Sequence, residues 1–342
     1  MQDEPIDFGP IVDTSKNIIK VIGVGGGGCN AVRNMFLEEV PNVTYAVSNT
    51  DSQALSKSPV RTKILLGKSG LGAGGDPDKG REDAELNAED IRRLCSDGTQ
   101  MAFIAAGMGG GTGTGAAPVI AGIVKSMGIL TVGIVTIPFY FEKRRKIIKA
   151  LKGIEEMKKN VDALLVINNE KLCDIYADSH VPLKEAFRRA DKIIGDAAES
   201  ISELISVEGD MNLDFHDVET IMRGGGGAVM AMGRARGEHR VQNAILDALD
   251  SPLVDGNDRD IGTAKRILLN IYTSTEHPMF VDETSELDAF MEAINPDVEF
   301  IYGFGDDDSL GEGCKVTILA SGMDEALGTG RPDNLVTDED YD

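Results

Sequence analysis

A run of seven residues, Gly109-Gly110-Gly111-Thr112-Gly113-Thr114-Gly115, constrains this chain more than any other stretch. An apolar strand-like run (101–106) precedes it and an apolar helix-like run follows, with Pro118 read in the first helical turn, where proline is tolerated. Glycine at this density costs backbone entropy. In return, backbone N–H groups can turn toward an anion and a phosphate can approach closely. The helix that follows adds the partial positive charge of its N-terminus, and the two threonines add hydroxyl donors. The stretch therefore reads as a phosphate cradle. A plain Gly-rich turn is the blander alternative. It is not a Walker A loop, because the lysine is missing.

A second strand-like run, 17–24, ends in Gly25, Gly26, Gly27 and Gly28, then Cys29 and Asn30, with a helix expected over 31–40. Gly23, Gly25 and Gly28 fit the dinucleotide fingerprint G-x-G-x-x-G, and Asp51 in Ser48-Asn49-Thr50-Asp51 supplies its acidic residue. An NAD-dependent oxidoreductase is therefore open at this point. Two such loops favour a longer phosphate chain gripped from both sides. A third, Gly70-Leu71-Gly72-Ala73-Gly74-Gly75-Asp76-Pro77, reads equally as a cover for a terminal phosphate or as a mobile surface loop. Gly67-Lys68-Ser69 imitates the end of a Walker A motif, but Thr62 occupies the place of its first glycine.

Strand-like and helix-like runs alternate from Asn17 to about Pro182, with strands expected at 17–24, 43–48, 101–106, 130–136 and 162–167. That alternation implies an α/β fold: a Rossmann-like parallel sheet with its Gly-rich loops at the carboxyl edge. From 182 to 206 apolar residues recur at three- and four-residue spacing, the pattern of one long helix. Beyond Gly209 strands are expected at 228–234, 265–274, 298–304 and 314–320, and helices at 238–249 and 286–293, forming a smaller α/β domain. The expected organisation is a flexible arm (1–16), a nucleotide domain (17–181), a central helix (182–208), a second domain (209–323) and a disordered acidic tail (324–342).

The formal net charge of −23 argues against nonspecific binding to nucleic acid or to anionic lipid. No apolar run is long enough to span a bilayer, and the acidic start is no signal peptide. The expected location is the cytoplasm. Cys29, Cys95, Cys173 and Cys314 lie far apart and read as free buried thiols; His180, His216, His239 and His277 form no metal motif.

Several chemistry-bearing residues lie outside the loops. Glu142, in Phe139-Tyr140-Phe141-Glu142, suits a ribose hydroxyl or a helix start. Asn169 follows the strand at 162–167. Asp191 lies one helical turn from Phe187. A carboxylate there matches the adjacent N–H donors of guanine and rejects adenine, although by position alone it reads as a solvated helix acid. Asn212-Leu213-Asp214-Phe215-His216-Asp217-Val218 packs an amide and two carboxylates into a turn before a helix. Those carboxylates read as caps, or as groups that orient water or a hydrated cation.

Together these stretches resemble the FtsZ family of tubulin-like cell-division proteins over about residues 17 to 322. The resemblance rests on Gly109–Gly115, the Asn212–Val218 loop, Gly25–Asn30, Asn49–Asp51, Leu71–Gly74, Phe141-Glu142 and Ala190-Asp191, in that family's order and spacing. It implies a GTPase that assembles head-to-tail into protofilaments at midcell. The implied nucleotide contacts are Gly25, Gly26, Gly27, Gly28, Asn30, Asn49, Asp51, Ala73, Gly74, Gly109, Gly110, Gly111, Thr112, Gly113, Thr114, Glu142, Lys146, Asn169, Phe187 and Asp191. Among these, Glu142 would bind ribose, and Asn169, Phe187 and Asp191 would hold guanine. Asn212, Asp214 and Asp217 would complete the site of the next subunit and act on water. GTP and GDP are the expected ligands, with Mg²⁺ held by phosphates and water, and a monovalent cation is left open. Expected partners are further copies of the chain and division adaptors and regulators.

Three departures from the family pattern stand out. Lys146 occupies a position where the family usually has arginine, so contact there is expected to be monodentate. Arg223-Gly224-Gly225-Gly226-Gly227 is unusually rich in glycine, which suggests a mobile loop. The C-terminal adaptor-binding peptide is absent, so a shortened form that polymerises without binding membrane adaptors is expected. The oxidoreductase reading leaves Gly109–Gly115 and 212–217 unexplained. A nucleotide-binding scaffold without hydrolysis is opposed by intact Asp214 and Asp217.

Overall fold

The computed structural model describes residues 17–171, 182–206, 213–251 and 261–323. In chain order the first part comprises Ile19–Val24 (β1), Gly25–Leu37 (α1), Val43–Asn49 (β2), Ser52–Lys57 (α2), Thr62–Leu65 (β3), Pro77–Leu86 (α3), Ala88–Leu94 (α4), Met101–Gly107 (β4), Thr112–Ser126 (α5), Leu130–Ile137 (β5), Arg144–Asn160 (α6) and Ala163–Asn168 (β6). Leu183–Ser206 (α7) follows, then Phe215–Met222 (α8), Gly226–Arg236 (β7), Arg240–Leu249 (α9), Arg266–Thr273 (β8), Asp288–Ala293 (α10), Glu299–Asp306 (β9) and Gly313–Ser321 (β10).

The strands form one ten-stranded sheet in the order β3-β2-β1-β4-β5-β6-β7-β10-β8-β9. Its first six strands are parallel and follow the doubly wound order. Sequence patterning predicts two α/β units; the structure joins their sheets through a short parallel pairing of Ala163–Leu165 with Gly226–Ala228. Beyond it, β10 runs antiparallel to both β7 and β8.

Strands β1, β4 and β5 are almost wholly apolar because helices cover both of their faces. Side-chain alternation sends Val21, Phe103 and Val132 to the face packed by α1, α7 and α8. Ile22, Ile104 and Val135 go to the face packed by α3 to α6. In the second half that latter face is covered by α9 and α10, over Val229, Leu269 and Ile318. The long helix α7 buries Ile194, Ala197, Ile201 and Leu204 in the first of these layers. Glu203 on it accepts from Lys315 Nζ on β10 at 2.9 Å, which ties the helix to the second half.

Several element boundaries differ from the sequence expectation. The helix after β1 takes in all four glycines, starting at Gly25 rather than near residue 31. Gly25 (φ +69°) makes the turn out of the strand, and Gly28 lets the helix settle on β4. Pro118 lies in the interior of α5, not in its first turn, because the helix already begins at Thr112. The run 224–227 is no free loop. Gly226 N donates to Asp162 O at 3.0 Å, Gly322 N donates to Gly225 O at 2.8 Å, and Gly226 and Gly227 open β7. The short edge strand β3 and helices α2, α3 and α4 were not anticipated; their sequences are polar and carry little periodicity. Cys29, Cys95 and Cys314 are free thiols, and burial pushes each of them up, to about 12, 11 and 12. His216, His239 and His277 are exposed. The arm (1–16), the tail (324–342), Cys173, His180 and Asn212 lie outside the described residues.

A Cβ at Gly28 would stand 2.0 Å from the Ala105 carbonyl oxygen. Gly28→Ala is therefore expected to cost about 1–3 kcal/mol through overpacking, read as a lower urea midpoint with an unchanged slope.

Candidate nucleotide site

The carboxyl ends of β1, β4 and β5 open onto a cavity of about 470 Å³. One side is formed by Gly26, Gly27 and Asn30 in the first turns of α1, and by Gly110, Gly111, Thr112 and Gly113 at the start of α5. Two helix N-termini thus converge on one volume, and both direct unsatisfied N–H groups and positive dipole ends toward it. Side chains at Gly26 or Gly110 would meet nothing within 4 Å, so the absence of Cβ atoms there leaves room for a ligand. Gly113 does a different job: its Cβ would lie 2.3 Å from the Gly107 carbonyl oxygen, which sets how closely α5 approaches β4.

The threonines organise the loop. Thr114 Oγ1 accepts from Gly109 N at 2.8 Å, and Gly109 itself takes a φ of +95°. Thr112 Oγ1 pairs with Thr50 Oγ1 at 2.7 Å, linking α5 to the end of β2. The third glycine loop is latched to the same segment: Ser52 N donates to Gly70 O and Gly72 N to Thr50 O, each at 3.0 Å. Asp76 caps α3, with Pro77 in its first turn.

The far side of the cavity carries the groups that suit a base and a sugar. Glu142 Oε1 accepts from Phe139 N at 3.1 Å, while Oε2 pairs with Lys146 one turn along. Tyr140 N donates to Glu170 Oε2 at 2.8 Å, so a carboxylate beyond β6 holds the turn that presents Glu142. Phe187 stands edge-on to the fully buried Phe139 at 5.0 Å and to Phe141 at 6.1 Å, which fixes its ring at the cavity wall. Asn169 is buried, and its Oδ1 has no hydrogen-bond partner. A buried unsatisfied acceptor costs about 1–3 kcal/mol, so this oxygen is suited to a donor from a bound molecule. Burial pushes the Asp191 carboxyl up to about 7, opposed by the charge of Arg33 on α1.

Of the residues expected at the site, Gly26, Gly27, Asn30, Gly110, Gly111, Thr112, Gly113, Glu142, Lys146, Asn169, Phe187 and Asp191 line this cavity. Gly25, Gly28, Gly109 and Thr114 shape the two helix starts from behind. Asn49, Asp51, Ala73 and Gly74 do not line it. Asp51 Oδ1 is taken up in capping α2, accepting from Gln53 N at 2.8 Å and Ala54 N at 3.1 Å. Ala190, beside Asp191, lines the cavity too, as do Gly107, Met108, Thr136 and Pro138, which the motifs do not include. Their position at the carboxyl ends of β4 and β5, or beside Asp191, is the signal that marks them.

Asp214 and Asp217 stand elsewhere. Asp214 Oδ1 accepts from His216 N at 2.7 Å and Asp217 N at 3.2 Å, and Asp217 Oδ2 accepts from Asp214 N at 2.8 Å, a reciprocal cap on α8. At the other end of α8, Arg223 Nη2 donates to Gly128 O, in the turn that leads into the amino end of β5. The carboxyl end of α8 is thus anchored at the amino edge of the sheet, and neither Asp214 nor Asp217 lines the cavity. Among the described residues no cluster of side chains has the makings of a metal site.

A Rossmann-ordered sheet, two glycine-started helices aimed at one cavity, and an antiparallel second half define a tubulin-like GTPase. Residues 18–177 match the model of the Tubulin/FtsZ family GTPase domain, and residues 226–324 that of the FtsZ family C-terminal domain. The chain is 50% identical over 328 residues to the cell division protein FtsZ of Porphyromonas gingivalis, covering 95% of this chain and 71% of that one. A solved FtsZ dimer from M. jannaschii superposes with a TM-score of 0.79 at 37% identity, over 90% of this chain and 88% of that one. CetZ2 from Haloferax volcanii, at 19% identity and a TM-score of 0.74 over 89% of this chain and 92% of that one, shares the fold. The chain belongs to the FtsZ family of cell-division GTPases.

Guanine donates two N–H groups to a carboxylate only when that carboxylate is charged. With Asp191 raised to about 7, GDP affinity is expected to tighten as pH rises from 6 to 8, by up to about tenfold per unit below the pKa. Asp191→Asn should flatten that profile in fluorescent-nucleotide titrations and erode the preference for guanine over adenine.

Proposed function

We propose that this chain binds GTP in the cavity between α1, α5 and α7, assembles head-to-tail, and hydrolyses GTP at the junction between subunits. In this reading the guanine edge meets Asp191 and Asn169, its face stacks on Phe187, Glu142 accepts from a ribose hydroxyl, and the phosphates lie between the starts of α1 and α5. The orphaned Asn169 Oδ1 and the open space at Gly26 and Gly110 support that fit. Lys146 offers one compact cation rather than a fork, so its contact is to a single oxygen.

The observation that carries the reading is the separation of the cavity from Asp214 and Asp217. Among the described residues the cavity wall offers Glu142 and Asp191, both suited to sugar and base, and no carboxylate at its glycine end to act on water. The exposed Asp214 and the half-buried Asp217 are not among the residues that line the cavity. Head-to-tail stacking would bring the start of α8 onto the cavity of the next copy. There Asp217 and Asp214, with Asn212, polarise and align the attacking water in line with the terminal phosphate. Donors at the α5 N-terminus stabilise charge on the phosphate oxygens. Magnesium suits the phosphates themselves with water as its remaining ligands, where it would neutralise charge. Each such contact is heterologous, and a repeated heterologous contact that does not close gives a filament. Such filaments would form the division ring at midcell, with adaptors and regulators acting through other parts of the protein.

Turnover per molecule should rise from near zero past a threshold protein concentration, in step with light scattering. Turnover that stays constant on dilution would refute the shared site. Asp214→Asn keeps an oxygen acceptor for the N-cap but removes the charge. It is expected to lower turnover above the threshold by at least about 100-fold, while GTP affinity of the monomer stays unchanged.

A further inference from the structure

In a chain of net charge −23, helix α6 carries seven Lys or Arg against two Glu. Its buried face (Ile147, Leu151, Ile154) packs on the sheet layer below, so the charges are forced outward. Lys149, Lys152 and Lys159 stand exposed at alternating three- and seven-residue steps along one side. Together with Arg81 of α3 they border a groove of about 590 Å³ between the two helices. Asp78, Glu155 and Glu156 are the local counter-charges, and Glu156 is already paired with Lys159 at 2.8 Å; the excess of cations lies along α6 as a whole. Lys149 Nζ is held at the Gly75 carbonyl, at 2.6 Å.

The opposite charge is concentrated elsewhere on the same molecule. From Val281 to Cys314 there are eleven Asp or Glu and no Lys, Arg or His. Asp282, Asp288, Glu292, Asp297, Asp306 and Asp308 are exposed. Met291 and Tyr302 of the same segment are exposed as well.

Resting on the filament reading above, we infer that the basic side of α6 is a lateral docking surface for a second copy of this chain. It receives the acidic segment between Asp282 and Glu312. Charge complementarity selects this occupant. An anionic bilayer or a nucleic acid would meet the groove too, but only by drawing a strongly acidic body against an extended negative surface. A second copy presents its acid density on one segment. The contact acts within a Debye length, so it should bundle filaments at low ionic strength, where that length exceeds about 10 Å, and release them near 1 M salt, where it is about 3 Å.

The test is sedimentation of the GTP-loaded chain at two speeds, with phosphate release measured on the same samples. Lys152→Glu with Lys159→Glu, and separately Glu292→Lys with Asp297→Lys, should each lose the low-speed pellet of bundles. The high-speed pellet of single filaments and the phosphate release should remain. Combining all four changes should restore bundling. Bundling that survives both reversals, or that the combination does not restore, overturns the contact. Low-speed pelleting only when phosphatidylglycerol vesicles are added, and lost in the α6 pair, assigns the surface to lipid instead. A parent chain with no high-speed pellet refutes the filament reading rather than this contact. The contact is then read by sedimentation velocity at low salt, where the parent self-associates and the α6 pair is monomeric; a parent that is itself monomeric overturns it.

Discussion

The structure depends on how closely backbone can approach backbone at the ends of β1 and β4. Gly28 sits against the Ala105 carbonyl, Gly113 against that of Gly107, and a Cβ at Gly25 would stand 2.8 Å from Gly113 N. These contacts draw the starts of α1 and α5 together at one sheet edge. Two sets of free N–H groups and two helix dipoles then share one volume. Any side chain at these glycines would separate the helices and dissolve the anion site before it changed a ligand contact.

The remainder of the cavity is built by elements that belong to no single motif. The turn after β5 presents Glu142, itself held through Tyr140 by Glu170 beyond β6. The helix α7, more than a hundred residues after the first glycine turn, brings Phe187 and Asp191 to the same wall. Its burial against the sheet raises Asp191 and couples the cavity to the second half through Glu203 and Lys315. A site assembled from so many elements senses the packing of the whole molecule. That suits the assembly-coupled turnover proposed above.

Much of the glycine chemistry was legible in the sequence, because glycine clusters between an apolar run and a helical run have few other uses. The parallel α/β character of the first half was legible from strand–helix alternation, although its edge strand β3 was not. Other features were not. The capping of α2 by Asp51 Oδ1 was not legible, since capping is decided by the local turn and leaves no separate mark in composition. The Gly224–Gly227 run looked like a loop, but half of it is strand, because β6 and Ser321–Gly322 supply the partners that its own sequence lacks. Thr50 was invisible as a site organiser, since only the fold brings Thr112 to it.

By itself the sequence showed two glycine loops suited to phosphate, Phe187 and Asp191 one helical turn apart, and a carboxylate pair at a helix start. These are local patterns, set by residue type and spacing. Tertiary structure alone decided that Asp191 is half-buried in the cavity wall, that Asn169 Oδ1 is left without a partner, and that Asp214 and Asp217 stand outside the cavity lining. Those outcomes depend on which strands pair and which faces pack, contacts between residues far apart in the chain that no local pattern records.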